Sequence, residues 1–292
     1  MSHSHFSPAR IWTLAAATLT QLVRMKILVF LLLFSILVVA AGFAFPVLNP
    51  EQQLKQLKDV SFGALQVFSI VIGIVATSLL LPRDLEDRTL YTILSKPVPR
   101  YEYLLGKLLG VLLLIGAGLI LMDMAFSVVL WLRQKLLLVQ MIESLNVRSP
   151  EITAQVEAVV AKQGLTWNLH LGVVAIFLKA AVVSALALMV SCFASSTLFT
   201  VIVTFCIVIV GHGQALMREY FLSGKMTAGV EQGLSALLAV LTPDLGVFDV
   251  VENVIQGELV TWGSMQVMLG TAAMYVVGYC VVSHLLFVEK EL

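Results

Sequence analysis

Long apolar runs separated by short charged stretches set the pattern of the chain. A membrane-crossing helix rises about 1.5 Å per residue and needs about 20 apolar residues to cover about 30 Å of hydrocarbon. Six stretches meet that requirement, at residues 27–47, 62–81, 104–132, 171–192, 198–217 and 262–288. The first is preceded by a 26-residue segment with no small-residue cleavage site and is followed by a mixed-charge loop, so it reads as a span and not as a cleaved signal.

The connecting segments carry their own periodicity. Residues 8–23 place Ile11, Leu14, Ala15, Leu19, Leu22 and Val23 at helical spacing between Arg10 and Arg24. This predicts an amphipathic helix along the membrane interface, the alternative being a helical extension of the first span. Residues 82–107 form the most charged connection. Asp84, Glu86 and Asp87 suit the positive end of a short helix, and Pro97 and Pro99 stop it in a rigid turn. Charge alone favours a solvated loop whose charges anchor it. In residues 133–170, Ser149, Pro150 and Glu151 open a helix with Ile152, Val156, Val159 and Val160 on one stripe, ending near Gly164. Residues 218–261 are apolar but cut by Gly229, Gly233, Pro243, Gly246 and Gly257 into pieces too short to span, which predicts re-entrant or interfacial helices.

The expected fold is therefore an all-α integral membrane domain over residues 1–292. It has six transmembrane helices, an interfacial helix before them, and re-entrant elements before the last span. Composition agrees: 59% of residues are hydrophobic and 12% charged, against about 25% charged in soluble domains, so lipid must cover the excess. Lys plus Arg and Asp plus Glu are both 18, which removes the basic balance expected of a nucleic-acid binder. Cys192, Cys206 and Cys280 all lie in apolar runs and suggest buried thiols. With both termini in the cytoplasm of an inner or plasma membrane, nine Lys and Arg fall on inner segments and eight on the longer outer loops, and that density favours this orientation.

Chemistry-bearing residues are few. Asp123 and Lys179 lie inside spans, each about 13–15 Å from the outer boundary by sequence count. An unpaired charge there costs several kcal/mol, so the two are expected to pair, either as a structural clamp or on a substrate or proton path. Gly106 and Gly110 form a G-x-x-x-G at the start of span three and suggest close helix packing within the chain. No phosphate loop, zinc-protease signature, nucleophile elbow or metal-ligand cluster is present, so no catalytic or metal site is expected and the chain does not hydrolyse ATP alone.

Residues 86–110, EDRTLYTILSKPVPRYEYLLGKLLG, resemble the permease subunits of the type-2 ABC transporter family: acid, threonine, leucine, Ile93-Leu94-Ser95, Pro97, Arg100, then Gly106-Lys107 entering a span. Residues 18–37 are similar to that family's elbow helix and first span. The resemblance implies an exporter-like permease that pairs with a second, identical or related copy and docks a cytoplasmic ATPase. ATP and magnesium would sit on that partner, with no cofactor on this chain. It further implies a coupling surface at Asp84, Glu86, Asp87, Arg88, Thr89, Tyr91, Ser95, Pro97 and Arg100, with Lys107 anchoring span three. Arg88 stands where many members have glycine. An autonomous secondary transporter or channel, or a non-transporting scaffold that binds an ATPase, are the alternatives.

Overall fold

The computed structural model describes residues 7–41, 50–86, 99–144, 150–194, 196–222 and 242–289. Among these it contains nine α-helices, one 3-10 turn and no strand. In chain order the helices are α1 (Pro8–Val23), α2 (Lys26–Ala41), α3 (Pro50–Glu86), α4 (Arg100–Ser144), α5 (Pro150–Gln163), α6 (Trp167–Phe193), α7 (Thr197–Leu222), α8 (Val251–Ile255) and α9 (Trp262–Glu289), with the 3-10 turn at Leu245–Phe248 between α7 and α8. Pro8, Pro50 and Pro150 each open a helix, where the missing N–H has no partner to lose.

Five helices, α3, α4, α6, α7 and α9, are long and apolar enough to cross a membrane. They coincide with five of the six expected spans. The remaining one corresponds to α2, which has 16 described residues, and its expected continuation to residue 47 lies outside the described residues.

Helix α6 is the axis of the bundle. It is apolar all round and rich in alanine, and Ala175, Ala180, Val182, Val183, Ala185 and Leu186 are all buried. A helix with no polar face must be surrounded, and α3, α4, α7 and α9 pack against it. Helices α7 and α9 lie at the margin. Their outward faces expose Phe199, Ile202, Phe205 and Ile209, and Met274, Val277, Val281 and Leu285. Apolar surface of that extent needs lipid or protein over it.

For residues 8–23 the alternative reading falls away, and one expectation about the connections is corrected. Residues 8–23 form a separate helix and not an extension of the next one: α1 stops at Val23, and the chain turns at Arg24–Met25 before α2 begins at Lys26. The span starting at Arg100 does not end near Arg133 but continues unbroken to Ser144. Arg133, Gln134 and Lys135 are good helix formers, so the charge there marks a change of surroundings and not of backbone. Helix α4 is thus 45 residues and about 67 Å long, more than twice the hydrocarbon thickness. The part beyond the bundle is braced by α3, through Arg133 Nη2 donating to Gln53 Oε1 at 2.9 Å, and by the close of α5, where Leu165 N lies 3.4 Å from Gln134 Oε1.

Candidate functional site

At the end of the bundle where α1 lies, three helices are tied together. Glu102 sits in the first turn of α4, where a carboxylate suits the helix dipole. Its side chain is fully buried and holds Arg10 of α1 in a two-pronged pair, Nε to Oε2 at 2.7 Å and Nη2 to Oε1 at 2.9 Å, while Ser7 N donates to Oε1 at 2.9 Å. Hydrogen bonding to Glu102 raises the Arg10 pKa above its already high usual value, so the link stays charged at any physiological pH.

Below this pair α1 and α4 touch almost backbone to backbone. A Cβ on Gly106 would lie 2.5 Å from Leu14 Cβ, and one on Gly110 would lie 2.6 Å from Thr18 Cβ. The G-x-x-x-G therefore receives α1 within the chain. Lys107, buried beside this seam, reaches Gln21 of α1 at 3.4 Å and lies over the Tyr103 ring.

Arg100 ties the same turn of α4 to the last helix. Its Nη1 donates to the carbonyls of Phe287 and Val288 at 2.8 and 2.9 Å, satisfying terminal carbonyls of α9, and its guanidinium lies 5.8 Å from the Phe287 ring centre. Tyr103 stacks on Phe287 as well. Of the expected coupling residues, Asp84 and Glu86 lie in the last turn of α3. Asp87, Arg88, Thr89, Tyr91, Ser95 and Pro97 lie outside the described residues. Arg100 and Lys107 are both engaged in helix–helix contacts, which the sequence indicated for neither.

Asp123 and Lys179 do not pair with each other. Asp123 Oδ2 accepts from His170 Nδ1 at 2.7 Å, near the start of α6, and Lys179 Nζ donates to Asp249 Oδ1 at 2.6 Å. The reason is the continuation of α4: the chain does not turn back at Arg133, so Asp123 lies level with the first turn of α6 while Lys179 lies nine residues beyond His170. His170 is further fixed by the Trp167 ring edge.

The 3-10 turn brings Asp249 to that depth. Lys179, Gly211 and Tyr275 each lie 14 residues, about 21 Å, from the α1-side ends of α6, α7 and α9. All three touch the segment around the turn. Tyr275 Oη accepts from Asp244 N at 3.2 Å, and a Cβ on Gly211 would lie 2.7 Å from the Pro243 carbonyl. Gln214 bonds Thr242, with Nε2 donating to its carbonyl at 2.6 Å and also contacting its hydroxyl. Asp244 caps the turn by accepting from Gly246 N, and Leu245 and Phe248 enter one apolar cluster with Val182, Val183 and Met268. From Asp249 the chain climbs back through α8 to Glu258, whose carbonyl accepts from Asn168 Nδ2 at 2.6 Å, while Asn168 Oδ1 takes Val260 N at 3.0 Å. Sequence reasoning missed Glu102, His170, Asn168 and Asp249. A carboxylate in the first turn of a span was the available signal for Glu102; nothing local marks the others.

These features define an all-α protein of the integral-membrane class, with five helices able to span and an ion pair at mid-depth. No group of three or more His, Cys, Asp or Glu able to hold a metal occurs among the described residues. No protein-family model matches the sequence, and no curated protein matches it.

Proposed function

We propose that this chain is the transmembrane permease subunit of an ABC transporter of export type, moving its substrate with ATP hydrolysed by a separate cytoplasmic ATPase subunit. In this reading it lies in an inner or plasma membrane with both termini cytoplasmic, beside a second copy or a related permease, and α1 lies along the inner interface.

The observation that carries the reading is the joint at the start of α4. The charged segment 87–98 feeds directly into Pro99 and Arg100, and within one turn of that entry α4 grips α1 through Glu102 and the end of α9 through Arg100. A displacement of the segment by a docked partner would move α1, α4 and α9 together, and α4 would carry the motion as one rigid rod to the opposite side. The absence of any phosphate loop from the sequence fits an engine on another chain.

The test is a gentle-detergent pull-down of the tagged chain from native membranes with mass spectrometry. A co-purifying phosphate-loop ATPase, lost in a Glu86→Ala/Arg100→Ala variant that still inserts, is the expected result. Intact chain without any ATPase would overturn the reading. It would then favour a self-driven secondary transporter, for which the mid-depth Lys179–Asp249 pair is the one specific argument.

A further inference from the structure

The limb that climbs from the 3-10 turn has two unlike faces. Phe248, Val254 and Ile255 are buried against the bundle, whereas Asp249, Glu252, Asn253, Gln256 and Glu258 are all exposed. The lower end of this polar face is at mid-depth, because Asp249 meets Lys179, the thirteenth residue of 27 in α6. Its upper end is level with Asn168, the second residue of the same helix.

Half of the Asp249 side chain is exposed (49%), while Lys179 is 2% exposed. A carboxylate facing hydrocarbon at that depth costs several kcal/mol, and neighbouring Glu252 and Asn253 would add to the cost. Irregular backbone at membrane depth is tolerated only where it is buried in protein or lines water. The outward faces of α7 and α9 are apolar, as a surface meeting lipid or an apolar partner must be, and the limb has none of their character.

We propose that the exposed face from Asp249 to Glu258 lines a water-filled vestibule that opens at the side opposite α1 and has the Lys179–Asp249 pair as its floor. Towards the α1 side the next residues of α6, Val182, Val183, Leu186 and Leu188, are fully buried and apolar, so the water stops at the pair. The occupant is water, and the inference holds whether an ATPase or an ion gradient drives the protein.

Cysteine accessibility in vesicles of both orientations tests it. In a chain with Cys192, Cys206 and Cys280 changed to alanine, single Asn253→Cys and Asp249→Cys variants are treated with a charged, membrane-impermeant methanethiosulfonate. Val277→Cys, exposed on α9 two residues from Tyr275 and so near the level of Asp249, is the control on an apolar face. The expected result is a mass increase of one adduct at 253 and 249 with reagent on the side opposite α1, no adduct from the α1 side, and none at 277. Protection from the reagent on both sides until the protein is unfolded would place the limb under lipid or protein and overturn the proposal, and so would labelling from the α1 side. If Asp249→Cys fails to fold, Asn253→Cys, whose side chain makes no contact that the fold needs, carries the test alone.

Discussion

Lys179 shows how a single residue's cost fixes a fold locally. Buried in the middle of α6, its ammonium meets, among the described residues, the carboxylate of Asp249, on a segment 70 residues further along the chain. Removing that partner strands the charge. Asp249→Asn is expected to destabilise the protein by about 2.5–3.5 kcal/mol, the cost of an uncompensated lysine at helix mid-depth, read as a lower thermal midpoint in detergent. A Lys179→Asp/Asp249→Lys exchange should recover part of the loss, whereas exchanging Lys179 with Asp123 should recover none, because Asp123 bonds His170. The sequence pointed to both intramembrane charges but not to their partners. Depth counted from the nearest charged residue assumed that Arg133 ended the helix, and a tertiary partner in an irregular segment leaves no periodic trace.

Among the elements, α1 depends on the two glycines of α4. With Leu14 and Thr18 already in contact distance of the α4 backbone, even a methyl has no space. Gly106→Ala should therefore push α1 off its seat at a cost of about 1–3 kcal/mol, measured as faster amide exchange over residues 8–23 and loss of a disulfide engineered between α1 and α4. Glu102→Gln should loosen the same helix by a different route, taking the charge from the Arg10 pair while leaving the glycine seam intact. Helix α1 itself was legible to the residue, since Pro8 opens it and its apolar stripe ends at Val23. So were α5, from Pro150 to a stop near Gly164, and the five long apolar helices. The length of α4 was not, because a helix leaving the membrane changes its side chains and keeps its backbone.

At the scale of the molecule, the joint at α4 and the mid-depth pair divide the bundle into two working ends. One end gathers α1, α4 and α9 next to the charged segment 87–98; the other holds the polar limb above Lys179. Helices α4 and α6 join the two, and in the ABC reading a push at the first end would reach the second through them. Arg100→Ala should loosen α9 from α4 without stopping membrane insertion, and in the ABC reading it should leave the partner's ATP hydrolysis running while transport falls. The most direct measurement of that reading is site-specific photocrosslinking from position 91, in the middle of the charged segment, in native membranes. A crosslink to a phosphate-loop ATPase that disappears when that partner is deleted is the expected result; crosslinks confined to lipid or to this chain, with no ATPase among them, would contradict the ABC reading.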